Sequence, residues 1–172
     1  PTFLKNNLTV DLNLKMSNTW SEFADEGAIG NAVSFDPTKP ITSGSNRYGG
    51  YWEWLGNDGL PQQLSNRNPL ALLDRGLRMN DGRSFRSLGN IQFDYQIPFL
   101  KGLRANLNLG YDFSRGQGVD QTSDSAASRY RDRGSYSPYF SEQKNVLYDF
   151  YLNYASDIKS INSRIDFMVG HG

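Results

Sequence analysis

The chain has 172 residues, with 18 basic and 18 acidic side chains, one histidine and no cysteine, so its formal charge is zero. A neutral chain creates no long-range field that would attract nucleic acid. Without cysteine there is neither a disulfide framework nor a thiolate metal site. No apolar run approaches the roughly 20 residues of a membrane-spanning helix, whereas membrane strands of about 10 alternating residues are compatible with this composition.

The first predicted element is a strand near residues 6–19. Leu8, Leu12 and Met16 belong to a run in which every second residue is apolar and the residues between are polar. A period of two is typical of a strand that has one apolar and one polar face.

A long connection is predicted next, near residues 20–86, with only short helices in it. The candidates are residues 28–33 and 69–75, the second because Asn68 can cap a helix that begins at Pro69.

The same connection contains Asn-Asp-Gly twice, at residues 57–59 and 80–82. These residue types favour tight reversals, so the sequence predicts a turn at each place.

Four more strands are predicted, near residues 87–98, 102–114, 144–155 and 163–170. The clearest of them has apolar residues at six alternate positions, which are Leu103, Ala105, Leu107, Leu109, Tyr111 and Phe113. A second long connection, near residues 115–143, separates this strand from the next one.

Short and long connections alternate along the chain. In an outer-membrane barrel, short periplasmic turns alternate with long extracellular loops, and every strand is amphipathic. The pattern therefore predicts an all-β fold, as a segment of a transmembrane antiparallel up-and-down β-barrel in which consecutive strands are neighbours.

The alternation also assigns the faces of these strands. We expect five apolar side chains to face lipid, namely Phe93, Leu107, Leu109, Phe150 and Leu152. Four polar ones should face the lumen, namely Asp94, Asn106, Asn108 and Asp149.

Trp20 and Phe23 follow the outer end of the first strand, where they fit either an aromatic girdle or the general preference of aromatic residues for strands.

The residue types offer little for catalysis. His171 is the only histidine and has no Gly-x-Ser-x-Gly elbow to serve, and Asp25, Glu26 and Asp36 are more simply caps and solvated charges than an acid–base pair. We expect no enzymatic activity, no catalytic residue, no bound metal and no cofactor.

Acidic residues among the arginines near Tyr130 lower the net positive charge of that stretch, so no nucleic-acid partner is expected.

The candidate binding site is a group of aromatic residues in the first long connection, which are Tyr48, Tyr51, Trp52 and Trp54. Flat aromatic side chains can stack on sugar rings or anchor a protein partner, because they bury a large area at low entropic cost. The alternative is that they form the small core of the loop itself.

Several stretches of the sequence resemble, in the same order, stretches of the SusC/RagA-type TonB-dependent transporters. They are Phe23–Pro40, Tyr48–Trp52, Asn68–Asp74, Leu88–Tyr95 with Phe99–Asp112, and Leu147–Tyr154. The resemblance covers nearly the whole chain.

This resemblance implies TonB-dependent import of a nutrient, glycan or peptide, across the bacterial outer membrane. It also implies a barrel of about 22 strands with an N-terminal plug, a SusD-like surface lipoprotein as a lid, and contact with outer-membrane lipid. TonB would act through parts outside this chain. Because the last predicted strand runs to the end of the chain, we expect the chain to be an internal piece of such a barrel.

Two other classes of protein fit the residues. One is a soluble carbohydrate-binding β-sandwich with aromatic platforms, and the other is an adhesin-like outer-membrane barrel that transports nothing.

Overall fold

The computed structural model describes all residues from 1 to 172. Six strands form one sheet in the order of the chain, and the pairs at both ends of the sheet are antiparallel. The strands are β1 (Thr2–Phe3), β2 (Leu8–Glu22), β3 (Arg78–Gln96), β4 (Leu103–Thr122), β5 (Ser135–Ile158) and β6 (Ser163–His171). This confirms an all-β fold with consecutive strands as neighbours. No helix in the structure has the length and apolar character needed to cross a membrane.

The residues form two compact units. The first, here called the sheet unit, contains residues 1–18, 85–115 and 142–172. The second, here called the loop unit, contains residues 19–84 and 116–141. The division therefore falls within β2, β3, β4 and β5.

The strands are longer than the alternation of the sequence predicts. β3 begins at Arg78, β4 continues to Thr122 and β5 begins at Ser135, so the two long connections shorten to residues 23–77 and 123–134. Backbone hydrogen bonds extend the sheet through residues whose side chains do not alternate. An example is the bond of 2.8 Å from the Phe23 amide to the Asn80 carbonyl.

Of the two predicted turns, one is confirmed and the other is wrong. At residues 57–59 the Gly59 amide donates to the Gly56 carbonyl at 3.0 Å, and Gly59 has a φ of +70°, which suits glycine. Residues 80–82 instead lie within β3. There, pairing with neighbouring strands overrides the local preference for a turn.

Both short helices are confirmed. They are α1 (Gly27–Ser34) and α2 (Pro69–Leu73). The Asn68 side chain accepts a hydrogen bond of 3.1 Å from the Leu70 amide, as the capping prediction requires. α2 is shorter than predicted, because Asp74 is already extended.

The polar face of the sheet unit is a chain of side-chain hydrogen bonds across four strands. Asn13 on β2 donates to Asn90 on β3 at 3.2 Å, Asn90 donates to Asn108 on β4 at 3.0 Å, and Asn108 donates to Asp149 on β5 at 3.4 Å. Asp94 also lies on β3, two pleats from Asn90. The predicted polar residues thus share one face, because alternate residues of a strand point the same way.

The opposite face of the sheet unit is apolar and largely exposed. An added Cβ at Gly89 would lie 3.2 Å from the Leu14 side chain and 3.3 Å from the Tyr111 ring, so side chains from β2 and β4 approach each other over this glycine of β3. Exposed members include Leu12, Leu14, Met16, Leu109, Tyr111, Val146, Phe150, Ile165 and Phe167. No element of the chain covers this face.

The loop unit has a small core of its own. Its buried apolar side chains are Ala28, Tyr48, Leu77, Ala126 and Ala127. Asn68 and Pro61 are the largest side chains that are fully buried.

Candidate binding surface of the long loop

Three of the four aromatic residues of the predicted site lie on an extended segment, residues 51–55, held between two other parts of the loop, and Tyr48 lies in the 3-10 turn before it. The Trp52 amide donates to the Ile41 carbonyl at 3.0 Å, and the Gln62 amide donates to the Trp54 carbonyl at 2.9 Å. Trp52 and Trp54 are therefore fixed at both sides by the backbone. Because the segment is extended, Glu53 between them points the other way.

Glu53 and Asn68 anchor this segment from below. The Asn68 amide donates to Glu53 Oε1 at 3.1 Å, and the Asn68 side chain donates to the carbonyls of Ile41 at 2.8 Å and Trp52 at 3.2 Å. Asn68 thus donates to carbonyls of two separate segments of the loop while it caps α2. The aromatic segment and the helix are held in place by the same buried side chain.

The Glu53 carboxylate is nearly inaccessible, with 1% of its side-chain surface exposed. Arg67 Nη1 lies 3.8 Å from Glu53 Oε2, too far for a hydrogen bond, and neither atom has another partner. Burial raises the pKa of Glu53, against the opposing influence of the Asn68 amide and the charge of Arg67. Burial therefore destabilises the charged form of Glu53 relative to the protonated form.

Tyr48 and Tyr51 belong to the interior contacts of the loop. Tyr48 is 4% exposed, its hydroxyl donates to the Gly59 carbonyl at 2.9 Å, and its ring meets Tyr130 edge-on with the centroids 5.0 Å apart. The Tyr51 hydroxyl donates to Asp74 Oδ2 at 3.0 Å, and this hydrogen bond raises the pKa of Tyr51.

Trp52 and Trp54 are arranged differently, as a half-buried pair at the surface. Their ring centroids lie 4.8 Å apart in an edge-to-face arrangement, and Phe35 meets Trp52 edge-on at 6.0 Å. Lys39 Nζ lies 5.4 Å from the Trp54 ring and 5.9 Å from the Trp52 ring. The result is a rigid aromatic surface with one ammonium group over it.

Sequence reasoning missed Phe35 and Lys39 as parts of this surface. Both precede the tryptophans by more than ten residues, and Lys39 is also paired with Asp36 at 3.9 Å, three residues before it. Their spacing in the sequence does not predict a contact with Trp52, since the contact forms only when the loop folds.

Two of the three acidic residues weighed for catalysis, Asp25 and Asp36, have structural partners, and Glu26 is exposed without a capping hydrogen bond. Asp25 Oδ1 accepts from the Gly27 amide at 2.8 Å, and its other oxygen pairs with Arg78. Asp36 accepts from the Thr38 amide and hydroxyl, and these bonds lower the pKa of Asp36. Arg78 also binds Asp120 at 3.1 Å. These contacts join the start of the loop to β3 and β4.

The structure thus defines a class of protein: an all-β chain whose antiparallel strands run up and down in one sheet, with one polar and one exposed apolar face. No protein-family model matches the chain. A comparison with curated proteins finds similarity to the TonB-dependent receptor SusC of Bacteroides thetaiotaomicron. The two are 30% identical over an alignment of 193 positions, which covers 99% of this chain and 18% of the relative.

Nearly the whole chain is therefore similar to one stretch of a SusC-type TonB-dependent receptor. It spans about a fifth of the length of that relative.

Proposed function

We propose that this chain forms part of the barrel wall of a receptor that imports a nutrient across the bacterial outer membrane with energy delivered through TonB. The relationship to SusC carries the proposal, because the relative is described as a TonB-dependent receptor. The sheet unit supports it independently, since its apolar face is exposed while its polar face is bonded across four strands. A membrane barrel needs this division between lipid and lumen.

On this proposal, Phe93, Leu107, Leu109, Phe150 and Leu152 face lipid. Asp94, Asn106, Asn108 and Asp149 face the lumen. The chain acts in transport, not as an enzyme. TonB contacts parts of the receptor that lie outside these residues.

The loop unit supports a binding role for the long loop on the extracellular side. Trp52 and Trp54 are held rigidly by Glu53 and Asn68, so they can contact a ligand without further ordering. We propose that they contribute to binding an oligosaccharide or peptide substrate, or a SusD-like surface lipoprotein that closes over it. Tyr48 and Tyr51 support this surface from the interior of the loop.

The test is to change Trp52 and Trp54 to alanine together in the full-length receptor. We expect weaker growth on the limiting nutrient, or weaker retention of the lipoprotein, with normal heat-modifiable mobility of the barrel on gels. Losing one stacked ring should cost about 1 kcal/mol of binding beyond the buried area. Phe99→Ala is the matched control, because Phe99 is an exposed aromatic residue in the short turn after β3.

Normal uptake and normal lipoprotein binding by a well-folded double variant would contradict a binding role for this surface. Uptake that does not depend on TonB would contradict the energy source in the proposal, whereas no uptake at all by a well-folded receptor would contradict transport and favour an adhesin-like barrel. A soluble sandwich is disfavoured because all six strands belong to one sheet, which leaves the apolar face without a second sheet to cover it.

A further inference from the structure

A groove of about 440 Å³ lies in the loop unit, on the parts of β2, β3, β4 and β5 that belong to it. Its walls include Trp20, Arg83, Val119, Pro138 and Phe140. It is separate from the surface formed by Trp52 and Trp54, because the two share no lining residue.

The cationic group among the lining residues of the groove is the Arg83 guanidinium. It stacks on the Trp20 ring, with the guanidinium carbon 3.8 Å from the ring centroid, and it forms no ion pair. The Asp81 carboxylate also lines the groove; its Oδ2 is bound by Arg75 at 2.9 Å, while its buried Oδ1 has no hydrogen-bond partner. Arg75 also binds Glu22 at 3.0 Å, so neither carboxylate pairs with Arg83. Arg83 therefore presents its hydrogen-bond donors to whatever occupies the groove.

The remaining walls combine exposed apolar side chains with the polar side chains of Asp81, Gln117 and Tyr139. Trp20 is 63% exposed and Phe140 is 60% exposed, and Val119 and Pro138 also line the groove. A free polar ligand would leave these rings in contact with water. An amphiphile with one anionic group matches both the apolar walls and the single arginine.

We propose that this groove binds a phosphate-bearing membrane lipid, with the phosphate on Arg83 and the apolar part against Trp20, Val119 and Phe140. The planar donors of arginine match two phosphate oxygens at once, and tryptophan is favoured where apolar chains meet polar headgroups. The inference rests on the proposed membrane location of the strands. Beyond that location, the inference adds a site on the barrel wall that prefers lipids bearing a phosphate group.

The experiment uses the full-length receptor with one cysteine in place of Gln121, labelled with bimane. Gln121 is exposed on β4, two residues beyond Val119, and this chain contains no cysteine of its own. The receptor is reconstituted in vesicles of digalactosyl diacylglycerol, which has no phosphate. Two quenching lipids with the same nitroxide-labelled chain are titrated separately, one a phosphatidylglycerol and the other a digalactosyl diacylglycerol.

We expect the phosphatidylglycerol to reach half-maximal quenching at a mole fraction about fivefold lower. That is the factor expected for about 1 kcal/mol from one basic residue near an anionic lipid surface. Arg83→Gln should make the two lipids equal. Arg47→Gln should leave the preference unchanged, because Arg47 also lies over an aromatic ring, that of Tyr48 at 5.4 Å, but outside the groove.

Equal quenching of the unmodified receptor by the two lipids would overturn the proposed site while leaving the membrane location intact. A preference that survives Arg83→Gln in a folded receptor would overturn it too. If that variant does not fold, Arg83→Lys decides, because lysine keeps the charge but lacks the planar pair of donors. A preference for phosphatidylglycerol that Arg83→Lys leaves unchanged contradicts a phosphate held by the two donors of Arg83. Absence of quenching by either lipid would instead contradict the membrane location.

Discussion

Glu53 shows how one residue of the long loop can conflict with its own surroundings. Glu53 lies between Trp52 and Trp54 in the sequence, and its carboxylate is buried. The carboxylate accepts a hydrogen bond only from the Asn68 amide, and Arg67 Nη1 lies 3.8 Å from Oε2. A neutral side chain would suit this position better at neutral pH. The carboxylate nevertheless retains one function, since it fixes the residue that caps α2.

The raised pKa of Glu53 predicts a pH dependence of the loop. Because the folded loop favours the protonated form more than the unfolded loop does, Glu53 makes the loop more stable as pH falls from neutral through its folded pKa, and less stable as pH rises. Hydrogen-exchange protection of the Asn68 amide, corrected for the intrinsic rate, should therefore increase in mild acid.

Glu53→Gln keeps an acceptor for Asn68 and should remove this increase. Glu26→Gln is the control, because Glu26 is an exposed carboxylate of the same loop and makes no capping hydrogen bond. Protection of the Asn68 amide that responds to pH equally in wild type and Glu53→Gln would show that another group is responsible.

At the scale of elements, β4 has the most regular alternation and the clearest division of faces. Asn108 is bonded to Asn90 on one side and Asp149 on the other, while Leu107 and Leu109 point away from this polar chain. The strand therefore tests the assignment of faces better than any other.

An arginine in place of Leu107 should cost about 2–4 kcal/mol if this residue faces lipid near the middle of the bilayer. The same charge in place of Gln92, which shares the face of Asn90 and Asp94 on β3, should cost little. The measurement is reversible unfolding of the full-length receptor in lipid vesicles. Equal costs at the two positions would mean that the apolar face is not embedded in the membrane.

At the scale of the whole molecule, the decisive feature is a large apolar sheet face that the chain itself leaves open. β1 is only two residues long, and β6 pairs with β5 alone, so backbone groups at both edges of the sheet lack a neighbouring strand. Open edges and an open apolar face both favour association with other chains.

Residues 1–172 expressed alone should therefore not give a stable, water-soluble monomer. Ultracentrifugation should detect aggregates or require detergent to keep the chain dispersed, and heating should produce no sharp cooperative transition of a monomer. A soluble monomer that melts cooperatively would contradict the membrane proposal. The full-length receptor in detergent serves as the control for correct folding.

The sequence by itself determined five of the six strands, all except the two-residue β1, together with their order and their two faces. Alternation such as that of Leu107, Asn108 and Leu109 reports directly which side of a strand meets an apolar environment. Local rules also predicted α2 and the turn at Gly59, because a capping residue such as Asn68 and a glycine act over a few positions.

Only the tertiary structure decided what happens where this alternation ends. Residues 80–82 have the sequence of a turn, yet they lie in β3 because neighbouring strands supply backbone partners that side-chain patterns do not record. The same is true of the surface at Trp52 and of the groove at Arg83. Each depends on residues far apart in sequence, and the free energy of such contacts exists only after the chain has brought them together.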